Sequence, residues 1–354
     1  MFKKIILATS LAVTSSTLFA ACESNVDSIQ TLYINGMFTN EAAALSNKNA
    51  IDQFIASNLS GFQGNTEYVH NDSEWVLAQA LEVLRQKVED NESTDAIMEF
   101  INNDSGFLDS LTSTAQVEDF LRDIDDIYDF TASEEDAGSA IVKTREMLNT
   151  CSRVVLITHS QGNFYGNAVI SDIYSSYSFP HGYSISEYPM LGNMQIASPV
   201  NTPGGAVSLI YPQIIGHITN DNDLIMDLVR NTMGAVDSNY SSPDIQGDFT
   251  GHGLEVAYLN APGQSAIIAS ELERIANDLV PYPMQGQNST SSSAMNGFGH
   301  SIISSVLDIE FTDGSVYRYD GVGNGTANGL KSATSKGAYF NANIRDQYPY
   351  VEIY

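Results

Sequence analysis

The stretch VVLITHSQGNFYG, from Val154 to Gly166, decides the fold assignment because its character changes at a single serine. Its first five residues are apolar or β-branched and predict a buried strand, and the residues after Gly162 are compatible with a helix. Ser160 lies between them, which predicts a tight strand-to-helix turn of the nucleophile-elbow type. At such a turn the first N–H groups of the helix can stabilise a negatively charged oxygen.

The motif alone leaves two interpretations open. The usual elbow is G-x-S-x-G, and this chain keeps Gly162 but has Thr158 where the first glycine normally stands. The alternative is a buried strand followed by an ordinary serine that caps the next helix. Other parts of the chain therefore have to be considered.

Candidate partners follow Ser160 in the order Ser, Asp, His, which is the order of a triad on this kind of sheet. Residues 213–219 (QIIGHIT) predict a buried strand that leads to Asp221 and Asp223, and we favour Asp223 because two apolar residues follow it directly. His252 stands in a glycine-flanked loop before an amphipathic segment. In a triad the imidazole accepts the proton of the serine hydroxyl, and the carboxylate orients the imidazole.

Each partner also has an ordinary structural explanation. A cluster of Asn and Asp commonly forms a turn or caps a helix, and a loop histidine need not have any role. The other five histidines fit the general base less well. His159 lies in the elbow, His217 lies within a strand, and His300 lies in the C-terminal region. His70 precedes the elbow, and His181 closely follows it.

An oxyanion hole requires two backbone N–H groups directed at the developing charge. The residue after the nucleophile, Gln161, is expected to supply one. A predicted early strand, residues 31–34, ends in Asn-Gly, and we assign the second donor to the N–H of Met37, with Phe38 as the alternative. Asn-Gly is also a common turn signal.

Five segments together resemble the α/β-hydrolase superfamily, near the lipase- and esterase-like proteins of bacteria: YINGMFTN, EYVHNDS, VVLITHSQGN, HITNDNDLI and GHGLEVAYL. The resemblance covers residues 26–280. It implies an α/β fold with a mainly parallel sheet flanked by helices. It also implies triad roles for Ser160, Asp223 and His252, and oxyanion donors at Met37 and Gln161.

The activity that the resemblance implies is hydrolysis of carboxylic esters through an acyl-enzyme, with a small-molecule or lipid ester as substrate and without a cofactor. No group of Cys and His has the spacing of a zinc site, so we expect no metal. Two alternatives remain open. One is a non-catalytic exported binding protein on a hydrolase scaffold, and the other is an acyltransferase that passes the acyl group to an alcohol or lipid.

The N-terminus predicts export. Residues 1–20 have the positive start, apolar middle and small-residue end of a signal peptide, which predicts a periplasmic or secreted protein. The sequence LFAAC, ending at Cys22, also resembles the end of a bacterial lipobox, which would make Cys22 a lipid anchor and the protein a membrane-anchored lipoprotein. The only other cysteine is Cys151. If Cys22 is not acylated, we expect a disulfide between the two.

The charge of the chain excludes one class of partner. It has 15 Lys and Arg residues against 43 Asp and Glu, a formal net charge of −28. Removal of the two lysines in the signal peptide brings the charge to −30 (−28 − 2). A surface of this sign repels nucleic acid and anionic lipid head groups, so we expect no nucleic-acid partner.

Composition predicts two domains after the signal peptide. The hydrolase domain is expected at residues 21–281, with a helical insertion at 73–130 that forms either part of a cap over the pocket or a solvated helical hairpin. Residues 282–299, rich in Ser and Asn, are expected to form a flexible linker. A small α+β domain is expected at 300–354.

Local patterns define this last domain. VLDIEF and VYRY around TDGS predict a β-hairpin, and residues 330–337 predict a short helix. YRYDGV, ATSKGAYFN, Ile344 and Tyr348 resemble the KTSC domain, a small module, although the cysteine of that family is absent here. Between residues 318 and 345 the chain has four basic residues, Arg318, Lys331, Lys336 and Arg345, against one acidic residue. This local excess indicates either a docking face for a protein partner or an ordinary solvated surface.

Overall fold

A computed structural model describes residues 28–35, 41–63, 65–69, 135–179, 184–233, 235–243, 248, 251–302 and 304–353. The chain divides into two compact units. The parallel-sheet unit comprises Ser28–Leu148 and Arg153–Val280, and the C-terminal unit comprises Pro281–Tyr354 with the short segment Asn149–Ser152. Several predicted features lie outside the described residues: the signal peptide, Cys22, Met37, Phe38, His70, His181 and the insertion 73–130.

The parallel-sheet unit is built on five described strands in the order β2-β1-β3-β4-β5, all parallel. The strands are β1 (Ile29–Ile34), β2 (Glu67–Val69), β3 (Arg153–His159), β4 (Leu191–Ile196) and β5 (Ile215–Ile218). Every residue of β3 and β4 is buried, as expected of parallel strands that are covered on both faces. The expectation of a mixed α/β fold with a parallel sheet is confirmed.

Helices connect these strands because parallel neighbours need a crossover connection. They are α1 (Glu41–Asn58), α2 (Glu135–Asn149), α3 (Gly162–Ser176), α4 (Leu224–Met233) and α5 (Pro262–Asp278), with a π-helical turn at Leu254–Leu259. In α5, Ile268, Leu272 and Ile275 are buried at helical spacing and form its core-facing side. Among the described residues, no helix is both long enough and apolar enough to span a bilayer.

The C-terminal unit is a separate antiparallel sheet with two helices. Its strands follow the order β10-β9-β8-β7-β6. They are β6 (Asn288–Ser289), β7 (Met295–Ser301), β8 (Val306–Phe311), β9 (Val316–Tyr319) and β10 (Tyr350–Glu352), and the helices are α6 (Asn324–Ser332) and α7 (Lys336–Asn343). The β8–β9 hairpin has the bounds that the sequence predicts. Leu307, Ile309 and Leu330 belong to one buried core.

The stretch expected to be a flexible linker, residues 282–299, instead contains β6 and most of β7. Two glycines of this segment have a packing role. A Cβ on Gly297 would lie 2.5 Å from Gln285 O, and a Cβ on Gly299 would collide with Met284 O. Glycine is therefore required where two backbone segments approach closely.

The predicted helix at residues 330–337 is also corrected by the structure. These residues span the end of α6, a break, and the start of α7. The Ser335 side chain accepts a hydrogen bond from the Ala338 N–H and begins the second helix. The first helix begins earlier than predicted, at Asn324, in a run of Gly, Asn and Thr that has low helix propensity.

Candidate active site

Ser160 lies on the turn between β3 and α3, and its backbone has a φ of 55°. A left-handed conformation is unusual for a residue with a side chain, and it persists only where the surroundings hold it. Here the Ser160 N–H donates to Ile196 O over 3.0 Å, at the carboxyl end of β4. The turn is thus strained and tied to the neighbouring strand, as expected of an elbow.

Gly166 explains how Thr158 fits where the motif usually has glycine. A Cβ on Gly166 would lie 2.8 Å from Thr158 Cγ2, so the small residue on α3 makes room for the β-branched side chain. The Thr158 hydroxyl donates to Asn163 Oδ1 over 2.5 Å. Thr158 is therefore a buried part of the elbow and compatible with it.

Asn163, in the first turn of α3, connects the elbow to the end of β4 through hydrogen bonds. Its fully buried side-chain amide donates to Ser160 O over 2.8 Å and to Ile196 O over 3.0 Å. Gly162 allows α3 to begin here, since a Cβ would collide with the Ile34 carbonyl at the end of β1. The start of the helix therefore lies directly against the carboxyl end of the neighbouring strand.

The structure brings the three predicted triad residues together. His252 Nε2 lies 3.0 Å from Ser160 Oγ, and His252 Nδ1 lies 2.9 Å from Asp223 Oδ2 and 3.0 Å from Asp223 Oδ1. An ionised carboxylate only accepts, so Nδ1 carries the proton and Nε2 is free to accept from the serine hydroxyl. Asp221, the alternative acid, is exposed and accepts from the Ser242 N–H.

Asp223 is fully buried and fully hydrogen-bonded. Its Oδ1 accepts from the Met226 N–H over 3.0 Å, in the first turn of α4. Its Oδ2 accepts from the Tyr258 hydroxyl over 2.8 Å. Burial, and then the Asp223 carboxylate, hold the pKa of Tyr258 well above its usual range, so this hydroxyl remains a donor. The helix N-terminus and the phenol together stabilise the negative charge.

Two opposing effects act on the pKa of His252. Burial lowers it by disfavouring the charged imidazolium. The Asp223 carboxylate, with a smaller contribution from Asp248, raises it by stabilising that cation, and the net direction is upward. The His252 side chain is 16 % exposed.

His159, inside the elbow, contacts the backbone of His252. Its Nε2 lies 2.9 Å from His252 O, and the two rings have centroids 4.9 Å apart. Burial, and then the neighbouring His252, lower the pKa of His159 to about 3, so the ring is neutral. Because a carbonyl only accepts, the His159 proton lies on Nε2 and is donated to His252 O.

The location of these groups agrees with the topology of the sheet. The chain adds β2 on one side of β1 and then β3 on the other, so the direction of strand addition changes between β1 and β3. Ligands of open α/β sheets bind in the crevice at the carboxyl ends of strands at such a point. Ser160 follows the carboxyl end of β3, beside that crevice.

The remaining predicted residues have different outcomes. Gln161 directly precedes α3, as an oxyanion donor should, whereas Met37 lies outside the described residues. Cys151 is disulfide-bonded, and Cys22 lies outside the described residues. Among the residues that the structure describes, no group of His, Cys, Asp and Glu could hold a metal ion.

Sequence reasoning missed Tyr258 and the structural roles of Asn163 and His159. Asn163 lies within the quoted motif, so its position was available as a signal. Tyr258 contacts Asp223 across 35 residues of sequence, and nothing local in the sequence indicates that contact.

Comparison with known proteins identifies the C-terminal unit. Residues 291–348 match the KTSC domain family. A KTSC domain protein from Yersinia pestis, known from a crystal structure, is 28 % identical over 19 % of this chain and 94 % of that chain, with a TM-score of 0.19. The comparison with curated proteins finds no match. The predicted KTSC domain is therefore confirmed, while the α/β-hydrolase resemblance has no support from these comparisons.

Proposed function

We propose that the parallel-sheet unit is a serine hydrolase of the α/β-hydrolase type, which cleaves carboxylic esters through an acyl-enzyme. One observation carries the proposal: the unbroken chain of contacts from Ser160 Oγ to His252 Nε2 at 3.0 Å and from His252 Nδ1 to Asp223 Oδ2 at 2.9 Å. A nucleophile, a base and an orienting acid within hydrogen-bond reach are the geometric signature of this chemistry.

The first half-reaction forms the acyl-enzyme. Ser160 Oγ attacks the ester carbonyl carbon while its proton passes to His252 Nε2, and the carbonyl oxygen becomes an oxyanion. The backbone N–H groups of Gln161 and Met37 are the donors that we assign to this oxyanion. When the tetrahedral intermediate collapses, the bond to the leaving oxygen breaks. The imidazolium gives that oxygen its proton, and an alcohol departs.

The second half-reaction releases the acid. Water attacks the acyl carbon and loses a proton to His252 Nε2, and collapse returns that proton to Ser160 Oγ. Throughout the cycle the buried Asp223 stabilises the imidazolium whenever it forms.

We also propose that the protein is exported to the periplasm or secreted. The signal-like residues 1–20 and the disulfide at Cys151 both favour an oxidising compartment. Cys22 is the only other cysteine of the chain, so a disulfide within the chain leaves it unavailable for acylation. Mass spectrometry of the mature N-terminus tests this: we expect cleavage after Ala20, and an acylated Cys22 would contradict the disulfide.

A fluorophosphonate probe tests the catalytic proposal directly, since it labels only an activated serine. We expect the full chain to be labelled and to hydrolyse nitrophenyl esters. Both signals should disappear in Ser160→Ala and persist in Ser175→Ala, which removes an exposed hydroxyl on α3.

The alternatives give other results. Folded wild-type protein that is neither labelled nor active would contradict catalysis and favour a non-catalytic binding protein. Labelling with slow hydrolysis that accelerates on addition of an alcohol, with the acyl ester as product, would identify an acyltransferase. A panel of esters from short to long acyl chains then defines the substrate class.

A further inference from the structure

Five aromatic side chains of the C-terminal unit form a closed circuit in which each ring contacts the next. The centroid distances are 5.7 Å for Phe311–Tyr317, 5.9 Å for Tyr317–Tyr350, 5.5 Å for Tyr350–Tyr319, 5.7 Å for Tyr319–Phe340 and 5.3 Å for Phe340–Phe311. All five rings line one cavity of about 360 Å³, a volume at the lower end of the range for small-molecule sites. We refer to these five residues as the aromatic circuit.

The fold assembles the circuit from three strands and a helix. Tyr319 on β9 pairs directly with Tyr350 on β10, and Tyr317 lies two residues away on the same face. Phe340 comes from α7, and Phe311 ends β8. Tyr319 and Phe340 are buried and form the floor, whereas Tyr350 is 57 % exposed. A closed hydrophobic core would not leave a large ring so exposed, so the circuit is open to a ligand on one side.

The electrostatics of this cavity favour a cation that carries alkyl groups. Aromatic faces are negative and attract cations within about 6 Å of the ring centroid. Asp346 also lines the cavity. Glu352 lies opposite Tyr317 across the β9–β10 pair, where its charge contributes to raising the pKa of the Tyr317 hydroxyl. A quaternary ammonium needs no hydrogen-bond acceptor, which suits a lining in which five of ten residues are aromatic.

Among the described residues that line the cavity, Arg345 is the one cation, and it indicates which further group the ligand carries. Its Nε is 3.8 Å from Asp346, and the two side chains are 64 % and 79 % exposed. A pair this exposed is weak, so the guanidinium can exchange partners at little cost. A phosphate or carboxylate on the ligand would offer a charge-assisted, bidentate alternative.

We propose that the aromatic circuit binds the quaternary ammonium group of a small zwitterion, and that Arg345 holds the anionic group of the same molecule. Phosphocholine and betaine are the two forms of this chemistry. The site lies wholly within the C-terminal unit and does not depend on the proposed hydrolase activity.

Calorimetric titration of the full chain with phosphocholine, glycine betaine and tetramethylammonium tests the proposal. We expect saturable binding of both zwitterions, and their relative affinity shows whether the anionic group is a phosphate or a carboxylate. Loss of one cation–π contact in Tyr350→Leu, which keeps apolar bulk, should weaken binding by about five- to thirty-fold. Arg345→Gln should weaken the zwitterions but leave tetramethylammonium unchanged.

Three controls keep the test specific. Tyr350→Phe retains a π face and should bind within about two-fold of wild type. Val351→Ala, on the opposite face of the same strand and also exposed, should bind as wild type does. Ser160→Ala should also leave binding unchanged, which separates this site from the proposed active site.

Two results would overturn the proposal. One is equal binding of 3,3-dimethylbutyl phosphate, in which carbon replaces the charged nitrogen, because charge would then be irrelevant. The other is the absence of saturable binding of either zwitterion up to about 10 mM by a folded protein.

Discussion

The hydroxyl of Tyr258 lies 2.8 Å from Asp223 Oδ2, the same carboxylate oxygen that contacts the imidazole of His252. The hydroxyl also accepts from the Asn220 N–H over 3.2 Å, which leaves its own proton to point at the carboxylate. In the proposed mechanism Tyr258 is therefore a positioning residue, since it fixes the carboxylate that orients the imidazole and touches no reacting atom.

Replacement of Tyr258 by Phe should change both the rate and the pH profile. A hydrogen bond to a charged group contributes about 1.5–3 kcal/mol, so kcat/KM should fall by about ten- to hundredfold. Without the phenol, the Asp223 charge is less compensated and holds the His252 proton more strongly. The acidic limb of the kcat/KM profile should therefore move to higher pH.

Tyr174→Phe is the matched control for this variant. Its hydroxyl donates to Leu191 O over 2.9 Å in the same unit, outside the candidate site. The Tyr174→Phe variant should lose about as much stability as Tyr258→Phe does, and it should keep the wild-type pH profile. Equal profiles for both variants and the wild type would show that Tyr258 is merely structural.

The raised pKa of His252 predicts opposite trends for activity and stability. The base must be neutral, so kcat/KM should increase as pH rises through that pKa. Because the folded state binds the proton more tightly, the stabilising contribution is complete below the unfolded value of about 6.5 and is lost as pH rises through the folded pKa. Urea unfolding of wild type and His252→Gln at several pH values should show a difference in unfolding free energy that becomes smaller as pH rises.

Asp223→Asn tests whether the Asp223 carboxylate is the cause of the raised His252 pKa. It keeps His252 buried but removes the carboxylate that raises the pKa, so NMR titration should find a lower pKa for the imidazole. The activity should also fall by about 10⁴-fold, because the amide no longer fixes the productive tautomer. An unchanged His252 pKa in this variant would contradict the assignment.

Local sequence signals were sufficient to predict the parallel-sheet scaffold and the order of the site residues along the chain. Ser160 lies on a change from strand to helix pattern, and Asp223 and His252 stand at the ends of elements, so parallel topology brings them to one edge. Their chemical roles stay a prediction until activity is measured. The KTSC domain was recognisable because its motifs are contiguous in sequence.

Contacts between distant segments were beyond such reasoning. Tyr258 reaches Asp223 only because the π-helical turn at Leu254–Leu259 lies against the start of α4. The segment that contains β6 and most of β7 was expected to be a linker because its composition is polar and rich in Ser, whereas the packing role of Gly297 and Gly299 is visible only from the backbone that packs onto them. Composition alone does not distinguish flexibility from close backbone approach.

The neutral imidazole of His159 should matter as a donor and not as a titrating group. His159→Phe leaves the His252 carbonyl without this partner and should lower kcat by about tenfold. His159→Gln places an amide N–H near the same position and should recover most of the loss. Steady-state kinetics of both variants between pH 6 and 9 provide the measurement, with the shape of the pH profile unchanged in each.

The low pKa of His159 also predicts that the folded protein loses stability in acid. The pKa of His159 is about 3 when folded and about 6.5 when unfolded, so the unfolded state binds the proton first. Stability should therefore fall as pH decreases through that interval. The glutamine variant cannot titrate there and should lose less stability than wild type. Parallel curves of stability against pH for wild type and His159→Gln would contradict the burial of a neutral His159 ring.

The fit of Thr158 against Gly166 predicts a coupled pair of substitutions. Gly166→Ala places a methyl group 2.8 Å from Thr158 Cγ2 and should destabilise the fold by about 1–3 kcal/mol. Addition of Thr158→Gly should recover part of this loss. Recovery is incomplete because the new methyl also lies 2.9 Å from Asn193 Nδ2. A double-mutant cycle measured by urea unfolding gives the coupling, and additive effects would show that the two residues do not compete for space.

In the C-terminal unit, Arg318 and Asp308 form a buried bidentate pair with Nε–Oδ1 and Nη2–Oδ2 distances of 2.8 Å. Asp308 also accepts from the Met284 N–H over 2.9 Å, so it ties β8 to the preceding segment.

Arg318→Met leaves the Asp308 carboxylate buried without its cation and should lower the free energy of unfolding by about 3–5 kcal/mol. The double variant with Asp308→Leu should be more stable than Arg318→Met alone, because no uncompensated charge remains. Thermal unfolding of the single and double variants decides this, and a double variant that is less stable than Arg318→Met would show that the Asp308–Met284 contact outweighs the buried charge.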